Sequence, residues 1–140
     1  MGFSELPIVV RARQNIGRTS VIASEGVFTY EDLLDWSETV ASWLLNGEGY
    51  DLNEQRVAFL VPPSFIHIAI QWGIWRAGGI AVPLAISHPL PELDHVLGDA
   101  GVSILIVHPQ WVSLVEPITE KYSMRFASTD LFTALQRTTL

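Results

Sequence analysis

Residues 56–84 of the chain read RVAFLVPPSFIHIAIQWGIWRAGGIAVPL, and this stretch decides the fold class. Arg56–Val61 is apolar on both faces after its first residue, as is typical of a central strand in a parallel sheet. Pro62-Pro63 ends that strand, and a helix that is apolar on nearly every side follows and closes at Gly78-Gly79. A second strand comes next, at Ile80–Leu84. The stretch therefore predicts one βαβ unit with both of its strands buried.

The same stretch contains the run Val57–Trp75, nineteen residues without a formally charged side chain. A run of that length is a candidate membrane span. The double proline Pro62-Pro63, however, divides it into a strand-length piece and a helix-length piece, and polar side chains interrupt it at Ser64, His67 and Gln71. We therefore predict a buried strand and a buried helix, and no membrane span.

The alternation of strands and helices continues towards the C-terminus. Helices are predicted over Glu92–Ala100 and Pro109–Tyr122, and strands over Ser103–Val107 and Met124–Ala127. Asp130–Gln136 begins a further helix. The fold class is therefore α/β, with three layers and a mostly parallel sheet built from βαβ crossovers. Flavodoxin-like and Rossmann-like domains share this pattern, so it assigns no activity by itself.

A hairpin and a helix precede the sheet strands. Two short strands, Val21–Ser24 and Val27–Thr29, are joined by a turn at Glu25-Gly26. Thr29 and Asp32 have the spacing of a capping box, so they predict a helix that begins directly after the hairpin.

Composition limits the classes of function. The 140 residues match one domain of about 150 residues. The net charge of −7 repels phosphate backbones, so nucleic acid is not an expected partner. The absence of Cys excludes disulfides and thiolate metal sites. Met1–Gln14 lacks the basic start and long apolar stretch of a signal peptide, so we expect a cytoplasmic protein.

No catalytic centre can be identified from the residues alone. The only lysine, Lys121, has no glycines around it, so there is no Walker-type phosphate loop. No metal site is predicted, because the histidines lack ligand spacing and neighbouring acids. Structural roles are assigned to three of them: His67 as a core or partner-contacting residue, His95 on a solvated helix face, and His108 at the start of a helix. The remaining candidates for ligand binding are Ser87 and His88, which follow a strand at the edge where open α/β sheets bind ligands.

Three segments resemble the N-terminal part of the adenylate-forming acyl-CoA synthetases: Phe28–Leu33, Arg56–Val61 and Trp75–Leu84. The third looks like the family's early core motif, in which Gly-Gly or Gly-Ala ends a helix before a strand that ends in Val-Pro-Leu. The resemblance implies structural roles for Gly78, Gly79 and Pro83. We expect Gly79 at a tight turn, where a side chain would strike the sheet or force an unfavourable backbone angle.

The resemblance covers about Thr19–Ser128 and is greatest to the malonyl-CoA synthetases. Gln71–Trp75 and Ser87–Pro89 carry that similarity. Many family members have Asn-Pro after the Pro-Leu pair, whereas this chain has Ala85–Pro89 at that place. The resemblance therefore implies a short-chain or dicarboxylic acid as substrate rather than a long-chain fatty acid.

The resemblance implies an ATP-dependent acid–thiol ligase. In that family ATP and a carboxylic acid give an acyl-adenylate and pyrophosphate, and coenzyme A then displaces AMP, with Mg²⁺ required. The family's phosphate loop, acidic ribose contact and C-terminal catalytic lysine have no counterpart in this sequence. We therefore expect residues 1–140 to be a single partial domain, cut within the tail 128–140, that binds none of these cofactors and is inactive alone.

Two other interpretations stay open. One is a non-catalytic, free-standing module that binds a partner chain, an acyl group or coenzyme A, and the other is a flavodoxin-like binding domain with coincidental motifs. Hydrophobic residues make up 49% of the chain and charged residues 16%, against about 25% charged in an average domain. We expect the excess apolar surface to bind the remainder of the synthetase or a second copy in a homodimer, near residues 128–140.

Overall fold

The computed structural model of the chain describes residues 5–46, 51–87 and 89–138. The chain folds into two compact units, each made of two separate segments. The first unit comprises Met1–Asn53 and Pro63–Gly79, and the second comprises Glu54–Pro62 and Ile80–Leu140. The expectation that the chain is a single partial domain stays a prediction.

The first unit contains a short hairpin and three helices. Its elements are α1 (Pro7–Arg13), β1 (Thr19–Ala23), β2 (Gly26–Thr29), α2 (Tyr30–Leu45) and α3 (Phe65–Arg76). The predicted hairpin is confirmed, but its turn lies at Ser24-Glu25, because Ala23 already pairs with Gly26. Helix α1 was not predicted from the sequence.

The capping box at the start of α2 is confirmed. The Asp32 backbone N–H donates to Thr29 Oγ1 at 3.2 Å, and the Thr29 N–H donates to Asp32 Oδ2 at 2.9 Å. These two bonds satisfy backbone donors that would otherwise lack a partner at a helix start. The helix ends at Asn46, whose left-handed backbone has a φ of 53°. The expected closing residue Gly47 lies outside the described residues.

Helix α3 begins and ends as the sequence predicts. Ser64 caps it, since its Oγ accepts from the His67 N–H at 3.2 Å. At the other end the Gly78 N–H donates to Trp75 O at 3.0 Å and the Gly79 N–H donates to Ile74 O at 2.9 Å. This pair of bonds is a Schellman motif, which needs a left-handed residue directly after the C-cap.

The expectation that Gly79 carries the strained backbone angle is wrong. The positive φ, 83°, belongs to Gly78, and Gly79 is not among the glycines with positive φ. In a Schellman motif the left-handed conformation falls on the first residue after the C-cap. The C-cap of α3 is Ala77, so the left-handed residue is Gly78. Glycine is therefore required at Gly78 by conformation.

Helices α2 and α3 approach closely at Gly73. A Cβ atom placed on Gly73 would lie 2.6 Å from Val40 Cβ and 3.0 Å from the Ser37 carbonyl oxygen. Arg76, at the end of α3, is 8% exposed, and its Nη1 donates to Leu34 O and to Ser37 Oγ, both at 2.9 Å. Burial lowers the pKa of Arg76 from its usual value, yet an arginine stays protonated at neutral pH.

The second unit contains a parallel sheet. Its elements are β3 (Arg56–Leu60), β4 (Ile80–Pro83), α4 (Leu90–Asp99), β5 (Val102–Val107), a 3₁₀ turn (Pro109–Trp111), α5 (Val112–Lys121), β6 (Arg125–Ser128) and α6 (Thr129–Thr138). The four strands lie in the order β4-β3-β5-β6, and every pair is parallel. The predicted α/β class and βαβ connectivity are confirmed, and the tail beyond 128 continues as helix α6.

The central strand β3 has the burial that its sequence predicts. All four residues after Arg56 are buried, from Val57 at 0% to Leu60 at 2% exposed. On one face Ala58 and Leu60 belong to a core with Leu97 of α4 and Leu105 of β5. Helix α4 starts two residues before its predicted start, because Pro89 acts as the N-cap and proline fits the first turn.

An exposed network links α4 to the end of α5. Asp94 Oδ1 accepts from the Tyr122 hydroxyl at 2.6 Å and from Lys121 Nζ at 3.1 Å. The Tyr122 hydrogen bond, followed by the Lys121 hydrogen bond, lowers the pKa of Asp94. Gly98 leaves room for this tyrosine, since a Cβ there would lie 2.6 Å from its hydroxyl oxygen.

The lowered pKa of Asp94 predicts a pH dependence of stability. Because the folded-state pKa lies below the unfolded value of about 3.9, the contribution is fully present above that value and is lost as pH falls through the folded pKa. We expect Asp94→Asn to reduce the free energy of unfolding near pH 7, and the difference from wild type to disappear towards pH 2. Urea unfolding at a series of pH values measures it, and a difference that is constant down to pH 2 would contradict the assignment.

Candidate functional site at the carboxyl edge of the sheet

The strand order defines where a ligand site is expected on the second unit. The chain runs from β3 outward to β4 and then returns to β5 on the other side of β3. Ligands of open α/β sheets bind outside the carboxyl ends of the strands, at the point where the strand order reverses. In this sheet that point lies between β3 and β5. We call the carboxyl ends of β3, β4, β5 and β6, together with the loops that follow them, the carboxyl edge.

His108 lies at the centre of the carboxyl edge. Its N–H donates to Leu60 O at 2.9 Å and so joins the ends of β5 and β3. Its Nδ1 accepts from the Gln110 N–H at 3.2 Å, and its ring meets the Trp111 ring edge-on at 5.7 Å between centroids. The predicted role of His108 in starting the next helical segment is confirmed, because its side chain caps the 3₁₀ turn.

The two predicted binding candidates lie on the loop after β4. Ser87 is exposed, in the turn that connects β4 to α4. His88 lies outside the described residues, so its proposed contact with a ligand stays a prediction. A third polar group at the same edge is Ser128, whose Oγ accepts from the Asp130 N–H at 3.3 Å. His108 and Ser128 are thus both engaged as caps of backbone N–H groups.

Pro83 has a structural place at this edge. It ends β4 opposite Phe59. Among the described strands, β4 pairs with β3 alone, so the missing N–H of Pro83 removes no bond of the ladder interior. The next residue restores the pairing, since the Leu84 N–H donates to Phe59 O at 3.0 Å. The geometry agrees with the structural role implied by the Val-Pro-Leu motif.

The remaining predicted histidines have different environments. His67 is half-buried on α3, and burial lowers its pKa, which favours the neutral imidazole at pH 7. His95 is exposed on α4, as predicted. Over residues 5–46, 51–87 and 89–138, no three His, Asp or Glu side chains come together as a metal site requires.

The described residues do not fit the phosphates of ATP. A phosphate cradle needs successive backbone N–H groups at a strand-to-helix turn, usually with a lysine. The chain after β3 runs through Pro62-Pro63, which lack N–H groups, and the chain after β5 runs through Pro109. The single lysine, Lys121, is paired with Asp94 at the end of α5. We therefore derive no phosphoryl-transfer step from these residues.

Sequence reasoning missed a cavity in the first unit. It has a volume of about 290 Å³ and is lined by side chains of α1, the turn after α1, the start of α2 and the middle of α3. Two arginines, Arg11 and Arg18, belong to this lining. The available signal was the clustering of three arginines within Arg11–Arg18, but its meaning depended on α1, which was not predicted.

The chain belongs to the AMP-binding enzyme family, whose model matches residues 9–136. This match confirms the resemblance to the adenylate-forming synthetases. Among curated proteins, the chain is 31% identical over 119 residues to the mitochondrial malonate–CoA ligase ACSF3 of Xenopus laevis. The match covers 83% of this chain and 21% of that ligase. The chain is thus related to the malonate–CoA ligases and spans about a fifth of their length.

Solved structures show the same fold. The complex of VinN with L-aspartate is 22% identical, with a TM-score of 0.80 over 93% of this chain and 33% of that one. ATP-bound MatB from Rhodopseudomonas palustris is 22% identical, with a TM-score of 0.74 over 86% of this chain and 24% of that one. The α/β fold is therefore that of the corresponding part of the adenylate-forming enzymes.

The predicted absence of a membrane span was argued from the proline break between β3 and α3. That break is present, and in the described parts of the chain no helix is long and apolar enough to cross a membrane.

Proposed function

We propose that the chain is the N-terminal part of an acyl-CoA ligase. The supporting observation is the family match over residues 9–136 together with 31% identity to a malonate–CoA ligase over 83% of the chain. In the proposed reaction ATP and a carboxylate form an acyl-adenylate and pyrophosphate, and the thiol of coenzyme A then displaces AMP. The chain would contribute the sheet and its carboxyl edge to that enzyme.

The groups that hold ATP, Mg²⁺ and coenzyme A belong, in this proposal, to the remainder of the ligase. The carboxyl edge supports this division, because its prolines lack N–H groups and its polar side chains His108 and Ser128 already cap backbone N–H groups. Among the residues of this edge that the structure describes, none would stabilise the charge that develops on a transferring phosphoryl group. The chain alone is therefore proposed to be inactive.

Malonate or another short dicarboxylic acid is the proposed substrate of the whole ligase. The Xenopus laevis relative is by name a malonate–CoA ligase, which supports malonate, and the match to that protein extends over most of this chain. We also propose a cytoplasmic location for this protein. The name of the Xenopus laevis relative does not support that location, because it describes a mitochondrial protein. The proposed partner of the chain is the remainder of the ligase.

We also propose that the chain forms a homodimer. The support for this proposal is the presence of exposed apolar side chains. The most exposed of them are Ile22, at 80%, and Val27, at 66%, which pair across the hairpin. Within residues 128–138, the described part of the tail, no large apolar side chain is among those exposed. An interface centred on the tail therefore has little support from burial.

A chimeric enzyme tests the proposal. The chain replaces the 119-residue segment of the Xenopus laevis ligase to which it aligns, and malonyl-CoA formation is measured with ATP and coenzyme A. We expect thioester formation with malonate and less with acetate or hexanoate. The matched control carries Gly73→Val, which should destabilise this segment and lower the activity and the melting temperature of the chimera together. A folded, monodisperse chimera without thioester from any short mono- or dicarboxylate would contradict the proposal and favour a non-catalytic module.

A further inference from the structure

Two arginines that form no ion pair with a described residue line the cavity of the first unit. Arg11 and Arg18 both line it, whereas Arg13, which lies between them in sequence, pairs with Glu5 through Nε at 2.8 and 2.9 Å. Among the described residues neither Arg11 nor Arg18 forms an ion pair. The chain has eight basic residues, and two of them line this one cavity.

The lining of the same cavity also includes apolar side chains and the indole of Trp72. Ile8 is 45% exposed, Trp72 is 9% exposed and Ala12 is 2% exposed. A buried tryptophan N–H usually finds an acceptor. Among the described residues, the indole N–H of Trp72 has no hydrogen-bond acceptor. The cavity therefore offers hydrogen-bond donors and an apolar surface, and the described residues of its lining include no carboxylate.

The hydrogen-bond donors that line the cavity come from three segments of the chain. Arg11 comes from α1, Arg18 from the segment before β1, and Tyr30, with its phenol, from the first residue of α2. The Tyr30 N–H donates to Arg18 O at 2.9 Å, which ties the two segments together. The side-chain amide of Asn15 donates to Arg11 O at 2.9 Å and fixes the end of α1. Local hydrogen bonds thus hold the backbone of the cavity rim.

We propose that this cavity binds a small organic carboxylate with a flat apolar body. The carboxylate would accept from Arg11 and Arg18, since guanidinium groups match carboxylate geometry, and the body would lie against Ile8 and the exposed part of Trp72. The volume of about 290 Å³ equals that of about ten liquid waters, so an aryl carboxylate of about ten non-hydrogen atoms fits. The site is in the first unit and does not depend on the proposed ligase reaction.

Apolar surface in the lining decides between an organic and an inorganic anion. Sulfate or phosphate would meet the arginines but would leave the exposed side chain of Ile8 uncovered. An aryl carboxylate removes apolar surface from water as well, which contributes about 25 cal/mol for each Å² that is buried. An uncharged aryl amide is excluded as the preferred ligand for a different reason, because it gives the arginines no negatively charged partner.

Calorimetric titration of the full 140-residue chain tests the site, with benzoate, benzamide and sulfate as probes. We expect saturable binding of one benzoate per chain and binding of benzamide and sulfate at least about tenfold weaker. Arg11→Gln and Arg18→Gln should each weaken benzoate binding about threefold to tenfold, because both groups are partly solvated. The matched control Arg137→Gln, an exposed arginine of α6, should leave it unchanged.

A second measurement reports on the unused donor. The indole N–H resonance of Trp72, assigned by its loss in Trp72→Phe, should shift on addition of benzoate in a ¹H–¹⁵N spectrum. No saturable benzoate binding by the folded chain would overturn the proposal. Equal binding of benzamide or sulfate would overturn it too, as would benzoate binding that neither arginine substitution weakens.

Discussion

Gly73→Val is expected to reduce the free energy of unfolding by about 3 kcal/mol and the melting temperature by about 10 °C. The new side chain begins with a Cβ only 2.6 Å from Val40 Cβ and Cγ1 and 3.0 Å from the Ser37 carbonyl oxygen. Real Cβ atoms do not come so close, so α2 and α3 would have to separate. Such separation would also disturb the hydrogen bonds of Arg76 to Leu34 and Ser37.

Two comparisons identify the cause of that loss. Gly17→Val is the matched control, since nothing lies within 4 Å of a Cβ at Gly17, and we expect it to cost less than about 1 kcal/mol. Combining Gly73→Val with Val40→Ala removes the Cγ1 contact, so the pair should be more stable than the sum of the single changes. Equal melting temperatures for Gly73→Val and wild type would contradict the close approach of the two helices.

Gly78→Val is expected to cost about 3 kcal/mol for a different reason. The backbone φ of 83° is left-handed, and a β-branched residue is strained there by about 1 to 3 kcal/mol. Its Cβ would also lie 2.1 Å from Asp51 Oδ1, the oxygen that accepts from the Asn53 N–H at 2.7 Å. Backbone strain and the displacement of Asp51 should therefore add.

The neighbouring glycine is the control for this second change. Gly79 does not have a positive φ, so Gly79→Val should cost clearly less than Gly78→Val when both are unfolded in urea. Gly78→Asn should recover part of the loss, because asparagine tolerates the left-handed region better than valine. A greater loss at Gly79 than at Gly78 would contradict the Schellman ending of α3.

The parallel sheet could be predicted because its strands carry their signal locally. Arg56–Val61 is apolar at every position after the first, and the prolines and glycines on either side of α3 mark its ends. Helix α1 could not be predicted in the same way. It has only seven residues, no side-chain cap and two buried residues, Val9 and Ala12, so packing rather than helix propensity stabilises it.

The two candidate sites also differ in whether a local sequence pattern indicates them. The carboxyl edge could be located from sequence, because residues that directly follow parallel strands lie at one edge; Ser87 and His108 are examples. The cavity of the first unit joins residues from α1, α2 and α3 that are up to 64 residues apart, from Ile8 to Trp72, so no local pattern indicates it. Buried Arg76 was likewise missed, since arginines are mostly exposed.

ATP–pyrophosphate exchange by the chain alone tests the central claim, that these residues supply the N-terminal part of a ligase and not its phosphate chemistry. The assay uses the purified 140-residue chain, Mg²⁺ and a panel of mono- and dicarboxylates of two to six carbons, malonate included. We predict exchange at background for every acid, and exchange with malonate once the chain is part of the chimeric ligase. Exchange by the chain alone that survives repurification would contradict the account.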